Sequence, residues 1–216
     1  MSDTRRRRVP RPVREQQIID AGIQIFAKRG YHAASVDEIA ELAGISKPMV
    51  YLYLDSKEGL FLACLRREAG RLVAAFQEAA GEAHSPELRL RAGLLAFFTF
   101  VTEHRGSWVV LHRQASELSP AIAQEVAQAR RAVMAQVAGL ARVGIAESSG
   151  TTRPGDEEAD FVAHALVGAA DALTDWMEEH PGESPERITL RLMNMVWVGM
   201  RNVLDGEVWT PGEGGA

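Results

Sequence analysis

Three Ser-Pro pairs divide the later part of the chain into segments whose apolar residues recur at helical spacing. In each pair the serine is a preferred helix N-cap, and the proline, which lacks an N–H, suits the first helical position. The pairs are Ser85-Pro86, Ser119-Pro120 and Ser184-Pro185. With the periodicity, they predict helices near 86–104, 107–117, 120–146, 156–179 and 185–205. Because no alternating, β-rich stretch and no internal repeat occurs, we predict an all-α chain of about nine helices.

The first part of the chain predicts shorter helices. A helix over 15–29 is expected to end at Gly30, since glycine adopts the left-handed conformation of a helix C-cap. Ser35 and Glu38 then form a capping box that opens a second helix of two turns, which ends at Gly44. The hydroxyl of Ser35 and the free N–H groups beside it are predicted to favour an anion.

The segment GISKPMVYLYLDSKEGLF, residues 44–61, predicts a third helix from Ser46. A fourth starts at Asp55 or Ser56 and runs toward Ala80. A two-turn helix, a glycine turn and another short helix form a helix-turn-helix, whose second helix is expected to lie in the DNA major groove.

In this second helix Val50 and Leu54 are four residues apart, so both are predicted to pack on the helices beneath, against Ile25, Phe26 and Ile39. The outward or sideways positions are Lys47, Pro48, Met49, Tyr51, Leu52 and Tyr53. Lysine ammoniums and tyrosine hydroxyls suit phosphates, and apolar side chains suit thymine methyl groups. The alternative is a small three-helix domain whose tyrosines are half-buried packing residues.

The charge is distributed unevenly along the chain. The formal net charge is −5, but residues 1–67 carry 12 positive and 8 negative charges, a net of +4, which leaves −9 for the rest. Most of the excess lies in MSDTRRRRVPRPVRE, where Pro10 and Pro12 favour extended chain. A basic arm beside an acidic body indicates a polyanionic partner at one end. A solubilising disordered tail is the alternative.

The stretch from Arg14 to Leu62 resembles the DNA-binding signature of the TetR family of bacterial transcriptional repressors. The matched motifs are RGY, S-V-x-x-I-A-x-x-A-G-I-S, Y-x-Y and S-K-E-x-L, with the alanine and phenylalanine of helix one. The resemblance implies that Ser35, Tyr53 and Lys57 touch backbone phosphates. It implies that the bases face Lys47, Pro48, Met49, Tyr51 and Leu52, and Ser46 completes the predicted DNA-binding set. Leu52 departs from the family's usual polar or aromatic residue, and Leu54 replaces a common phenylalanine.

The resemblance also implies a division into a basic arm at 1–13, a helix-turn-helix domain at 14–60, and a ligand-binding and dimerisation domain at 61–216. The expected protein is a cytoplasmic homodimer without a cofactor. It is expected to repress from a near-palindromic operator and to be released by a small hydrophobic ligand.

An apolar pocket for that ligand is expected in helices five to nine, where Trp108 beside His112 offers an apolar wall with a polar handle. The candidate lining residues are Phe97, Phe98, Val101, Trp108, Leu111, His112, Met134, Trp176 and Met193. The dimer interface is expected on the last two helices, at Phe161, Ala165, Gly168, Ala169, Ala172, Val196, Gly199 and Val203. Ordinary core packing is the alternative for both sets.

Other classes of protein lack their defining motifs. Neither G-x-S-x-G, H-E-x-x-H, G-x-x-x-x-G-K-[ST] nor a paired C-x-x-C is present, and no apolar run reaches the length of a membrane span. The single cysteine, Cys64, lies among apolar residues and is predicted to be a small buried hydrophobe. The remaining alternative is an enzyme of unknown class that uses His164, Asp171 and Asp175, which lie close to one face of a helix.

Overall fold

The computed structural model describes residues 9–81, 83–112, 119–148 and 156–204; the side chains of 111–112, 141, 144–148, 156, 158 and 198–204 are excepted. Within these ranges all regular secondary structure is helical, which confirms the all-α prediction. The helices are α1 Arg11–Ala33, α2 Val36–Leu42, α3 Lys47–Leu54, α4 Lys57–Gly81, α5 Pro86–Glu103, α6 Arg105–His112, α7 Pro120–Ser148, α8 Asp156–Glu179 and α9 Pro185–Leu204.

The three Ser-Pro pairs begin helices as predicted. In each, the serine Oγ accepts a hydrogen bond from the N–H three residues later: Leu88 to Ser85 at 3.3 Å, Ile122 to Ser119 at 3.4 Å, and Arg187 to Ser184 at 3.3 Å. These bonds satisfy one of the four N–H groups that a helix start leaves without a partner.

The first helix begins earlier than the sequence predicts. The arm is expected to reach residue 13, but α1 begins at Arg11, with Pro10 as its N-cap and Pro12 within its first turn. Proline is tolerated there because the first N–H groups of a helix have no intrahelical acceptor. At the other end Gly30 has φ 77°, so the helical backbone is interrupted where the sequence predicts, and one further turn follows to Ala33.

The chain forms two compact units. The first comprises Met1–Gly70 with His104–Ala129. Its core contains Phe26, Ile39 and Val50 from the first three helices, with Phe61 and Cys64 from α4. The rings of Phe26 and Phe61 meet edge to face at 4.9 Å, a favourable arrangement for aromatic pairs. Val50 and Leu54 are buried in this cluster with Phe26 and Ile39, and Ile25 packs against it, as predicted.

The same core includes residues from a distant part of the sequence. Val110 of α6 and Ile122 of α7 are fully buried in it. A β-carbon at Gly106 would lie 3.4 Å from that of Ala27, so α6 approaches α1 closely. The predicted division places everything after residue 60 in a second domain, whereas this compact unit extends to Gly70 and takes in α6 and the first turns of α7.

The second unit comprises Arg71–Glu103 with Arg130–Ala216. Its core lies between α5, α8 and α9, where Phe98 packs with Ala163, Ile188 and Leu192. In the described residues, no helix has the length and the apolar content that crossing a membrane requires.

Candidate nucleic-acid interface

The helix α3, the predicted recognition helix, has two different faces. Val50 is 1% exposed and Leu54 9%, whereas Tyr51 is 38% exposed and Leu52 65%. Ser46, Lys47 and Pro48 are exposed at the start of the helix, and Met49 and Tyr53 are half-buried at its sides. The predicted DNA-facing residues of α3 therefore share the surface that packing leaves open.

Ser35 caps α2. Its Oγ accepts a hydrogen bond from the N–H of Asp37 at 3.1 Å and so caps the start of the helix. The hydroxyl can still donate its hydrogen to another acceptor. Ser46 is the N-cap residue of α3 but makes no side-chain capping bond.

Lys47 pairs with Asp37 of the preceding helix. Its Nζ lies 2.8 Å from Oδ2, and the hydrogen bond to this carboxylate and its charge raise the pKa of Lys47. Both side chains are largely exposed, and such surface ion pairs contribute little stability. The ammonium can therefore exchange the carboxylate for a phosphate at small cost. Sequence reasoning missed Asp37, since no local signal connects it to Lys47.

Lys57 lies where α4 begins. Its Nζ donates to the carbonyl oxygen of His32 at 3.0 Å and sits 4.9 Å from the ring centroid of Tyr31. Desolvation by the surrounding protein lowers the pKa of Lys57. The residue predicted to touch phosphate thus also links α4 to the end of α1.

The turn between α3 and α4 is tightly built. Asp55 has φ 57° and ψ −44°, the geometry of a γ-turn, and the N–H of Ser56 donates to the carbonyl of Leu54, two residues earlier, at 2.6 Å. Ser56 Oγ then accepts from the N–H of Gly59 at 2.9 Å. A β-carbon at Gly59 would lie 2.4 Å from the carbonyl oxygen of Leu54. This turn determines how the end of α3 lies on α4.

Arg11, at the start of α1, also contacts the recognition helix. Its guanidinium carbon lies 5.3 Å from the ring centroid of Tyr53. Beside it a cleft of ≈ 700 Å³ is lined by Val9 and Arg14 of the N-terminal segment and by Met49 and Tyr53 of α3. The predicted DNA-binding set omits Arg11. The arginine-rich composition of the arm was the only signal for it.

Polar contacts join α4 to the start of α7. Ser119 Oγ donates to the Glu58 carboxylate, and the Arg66 guanidinium lies 2.8 Å from Glu125. Together with the buried side chain of Ile122, these contacts attach the first turns of α7 to the compact unit that contains the helix-turn-helix.

The predicted ligand-lining residues are divided between the two units. Phe98 and Met193 are buried in the core of the second unit, and Phe97 and Trp176 pack partly buried against them. Val101 is buried and Met134 half-buried. Trp108, although buried, belongs to the first unit, as do Leu111 and His112, whose side chains lie outside the described residues.

Four of the residues predicted for the dimer interface form an exposed row on α8. Phe161 is 73% exposed, and Ala165, Gly168 and Ala172 follow it on the exposed face. Ala169 and Val196 are half-buried against the core. The side-chain surroundings of Gly199 and Val203 lie outside the described residues.

The three residues of the enzyme alternative are engaged in different ways. His164 Nδ1 lies 2.8 Å from the carbonyl oxygen of Asp160, one turn earlier. Asp171 pairs with Arg130 at 2.8 Å, and Asp175 is exposed. Across the described residues, no group of three or more His, Cys, Asp or Glu side chains is arranged to hold a metal ion.

Comparison with known proteins agrees with this geometry. The family model of the bacterial regulatory proteins of the tetR family matches residues 18–64. The model of the tetracyclin repressor-like C-terminal domain matches residues 86–199, more than half of the chain.

Two curated relatives are regulators. The chain is 37% identical over 125 residues to the HTH-type transcriptional activator FasR of Mycolicibacterium smegmatis, over 58% of this chain and 57% of FasR. It is 24% identical over 110 residues to the fatty acid metabolism regulator protein of Bacillus subtilis, over 51% of this chain and 57% of that protein. The alignments thus span little more than half the length of these relatives.

The solved structures are similar over more of the chain. A TetR-like transcriptional regulator from Rhodococcus sp. RHA1 has a TM-score of 0.73 and 39% identity, over 89% of this chain and 98% of that one. The regulator FadR of Bacillus subtilis, solved with stearoyl-CoA, has a TM-score of 0.70 at 18% identity, over 90% and 99%, and so shares the fold. Since family models match both its helix-turn-helix and its C-terminal helices, the chain belongs to the TetR family of DNA-binding transcriptional regulators.

Proposed function

We propose that the chain binds an operator through α3, with Lys47, Pro48, Met49, Tyr51 and Leu52 facing the bases. The observation that carries this proposal is the division of α3, which buries Val50 and Leu54 and leaves Tyr51 and Leu52 exposed. Exposed aromatic and apolar side chains on a short helix suit base edges and thymine methyl groups better than water.

Ser35, Ser46, Tyr53 and Lys57 border this face and are proposed to contact phosphates. Lys47 and Lys57 supply the positive charge, and each ammonium carries three donors, so Lys57 can keep its bond to His32 and still donate to DNA. Phosphate contacts position the helix, while contacts to base edges provide specificity.

One short helix reads only half of a site, so we propose a two-fold homodimer on a near-palindrome. In such dimers the two recognition helices are about 34 to 36 Å apart, one turn of DNA. The open row of Phe161, Ala165, Gly168 and Ala172 on α8 supports this assignment, because small residues allow close helix approach and Phe161 offers apolar area. Light scattering at micromolar concentration tests it, and a monomer there would remove it.

We also propose that a small hydrophobic ligand binds in the second unit and lowers DNA affinity. The aromatic and methionine side chains of Phe97, Phe98, Trp176 and Met193, which share one cluster, support an apolar site. The structure of FadR from Bacillus subtilis was solved with stearoyl-CoA, and we propose a fatty-acyl ligand for this chain as well. In this proposal the ligand releases the regulator from its operator, so the regulator represses when no ligand is bound. The relative FasR, by contrast, is named an activator.

The DNA-reading proposal is tested with a matched pair of variants. Leu52 on α3 and Leu88 on α5 are both exposed leucines, at 65% and 49%. Duplexes are selected from a random library by the parent chain, and binding is measured by mobility shift on the selected site and on sites with single base changes. Leu52→Ala should alter the ranking of these sites, and Leu88→Ala should not. Equal rankings for both variants and the parent would place the readout elsewhere.

The ligand proposal is tested by titrating stearoyl-CoA while following tryptophan fluorescence and operator binding. The fluorescence should change and the DNA affinity should fall together. Trp176→Phe should remove part of the fluorescence response, and Trp108→Phe tests whether the predicted lining residue of the other unit also responds to the ligand. An unchanged DNA affinity at saturating fluorescence change would overturn the coupling, and a rise in affinity would reverse the proposed sign.

A further inference from the structure

The first turn of α2 carries two acids, and each is paired with a cation from a different helix. Asp37 Oδ2 lies 2.8 Å from the Nζ of Lys47, the first residue of α3. Glu38 Oε1 lies 3.1 Å from the guanidinium of Arg29 on α1. Both acids closely follow Ser35, the N-cap that is proposed to contact a phosphate. Since a carboxylate repels a phosphate, acids at this place oppose DNA binding unless a cation compensates their charge.

Lys47 is placed to reach base edges. It begins α3, and the residues at the start of a recognition helix are those that contact bases in helix-turn-helix proteins. The hydrogen bond to Asp37 raises the pKa of Lys47, so the ammonium keeps its charge. An ammonium has three donors. One of them can stay with Asp37 while the other two reach acceptors on DNA.

The pair of Asp37 and Lys47 gains strength when DNA covers it. Both side chains are largely exposed in the free chain, where such pairs contribute little. DNA on α3 would displace the water around them, and the attraction between two charges increases as the local dielectric falls. Lysine has a flexible four-carbon stem, so a fixed partner restricts the directions in which its ammonium points.

We propose that Asp37 determines specificity by holding Lys47 on the N7 and O6 atoms of a guanine in the half-site. This inference rests on the proposed function, since it needs α3 in the major groove. Lysine donates to these two acceptors, which only guanine presents together in that groove.

The same acid opposes binding to DNA without this guanine. There Lys47 must leave Asp37 to reach a phosphate, and the carboxylate then lies beside the DNA backbone without its cation. Binding to unrelated DNA depends on such phosphate contacts. Specificity is the difference between the two affinities, and Asp37 lowers the affinity for unrelated DNA more than the affinity for the operator.

Glu38 provides a matched control for Asp37. Asp37→Asn and Glu38→Gln each remove one negative charge from the first turn of α2, so their effects on the helix dipole and on the attraction to all DNA are alike. Only Asp37→Asn removes the partner of Lys47. Fluorescence anisotropy compares duplexes that carry a core selected by the parent chain with unrelated duplexes of equal length.

The ratio of these two affinities is the deciding measurement. Glu38→Gln should change both affinities by one factor and keep their ratio. Asp37→Asn should lower the ratio about two- to fivefold, the scale of an ion pair at the surface, mainly by raising the affinity for unrelated DNA. Asp37→Glu retains the carboxylate and should keep most of the ratio. Circular dichroism of each variant controls for folding.

The guanine is located with 7-deazaguanine, which lacks the N7 acceptor and still pairs with cytosine. Replacing each guanine of the core in turn should weaken binding of the parent about tenfold at one position in each half-site, the scale of one base contact. At that position Lys47→Met should bind the two duplexes alike, and Asp37→Asn should show a smaller loss than the parent.

Failure of this inference is distinct from failure of the proposed function. The inference is wrong if Asp37→Asn and Glu38→Gln change the ratio of affinities alike. It is also wrong if Lys47→Met keeps the loss that the parent shows on 7-deazaguanine, or if no guanine of the selected core shows such a loss. A parent chain that selects no core sequence at all would instead refute the proposed function.

Discussion

Gly59→Ala should destabilise the helix-turn-helix, although alanine is the better helix former. Gly59 lies in the first turn of α4, and a β-carbon there would lie 2.4 Å from the carbonyl oxygen of Leu54. Real β-carbons essentially never approach closer than 3.0 Å, so the backbone must open by at least 0.6 Å. The carbonyl is part of the main chain and already accepts from Ser56, so it cannot rotate away as a side chain would.

The magnitude follows from two opposing terms. Forcing extra atoms into a closely packed site costs about 1 to 3 kcal/mol. Replacing glycine by alanine in a helix gains up to about 1 kcal/mol. With a packing cost at the middle of its range, about 2 kcal/mol, and a gain of 0 to about 1 kcal/mol, we expect a net loss of about 1 to 2 kcal/mol for Gly59→Ala. This loss lowers the midpoint of thermal unfolding by about 2 to 8 °C in a chain of this size.

Gly70→Ala is the matched control, because Gly70 lies in the same helix and a β-carbon there would meet nothing within 4 Å. It should raise the stability by up to about 1 kcal/mol. Thermal unfolding followed by circular dichroism compares both variants with the parent. Operator binding should weaken for Gly59→Ala only, because the displaced carbonyl of Leu54 ends the predicted recognition helix.

The reasoning would be refuted if Gly59→Ala unfolded at the same temperature as Gly70→Ala or above it. Such a result would mean that the contact between α4 and the end of α3 adjusts without cost. A stable Gly59→Ala variant with weakened operator binding would instead locate the whole effect in the position of α3.

Three further predictions concern the same compact unit. Lys57→Met should lower operator affinity and reduce the number of released counterions by about one, because a phosphate contact is lost. Mobility shifts over a series of salt concentrations measure this number. An unchanged salt dependence would mean that Lys57 serves only its bond to His32. Cys64 is fully buried, and burial raises the pKa of its thiol to about 12. Alkylation by iodoacetamide at about pH 8.5 should therefore proceed only when urea unfolds the chain, since the thiolate is the reactive form. Rapid labelling of the native chain would contradict the burial of Cys64. A double-mutant cycle of Arg66→Gln and Glu125→Gln, measured by urea unfolding, should give a coupling energy of about 0.2 to 1 kcal/mol. This is the range for ion pairs at the surface, and Arg66 is exposed. A coupling energy of zero would show that the pair does not stabilise the fold.

The first compact unit contains α6 and the start of α7 together with the helix-turn-helix, so a movement of these helices could affect DNA binding. α4 and α7 each have residues in both compact units, and α6 lies wholly in the unit of the helix-turn-helix. In a ligand-responsive regulator, any shift of α6 or of the first turns of α7 would act on the core that holds α3, through Val110 and Ile122. A bistable packing of this core would provide the coupling that the ligand proposal requires.

The sequence alone determined where most of the helices begin and the two faces of α3. Helix starts depend on neighbouring residues, a serine before a proline or a capping box, so α5, α7 and α9 begin where the pairs predict. The burial of Val50 and Leu54 depends on a spacing of four within one helix, which is also local. The helix-turn-helix was therefore predictable from the sequence, and its motif identified the family.

Contacts between distant residues were decided by the tertiary structure. Trp108 of α6 lies in the compact unit that contains α1, whereas Phe98 lies in the core of the other unit, and the pocket predicted for both stays a prediction. The bond from Lys57 to His32 and the contact of Arg11 with Tyr53 likewise join segments 25 or more residues apart. Local rules of capping and periodicity act within a few residues. Which apolar faces meet depends on the burial that the whole chain can achieve at once, and no local pattern specifies that choice.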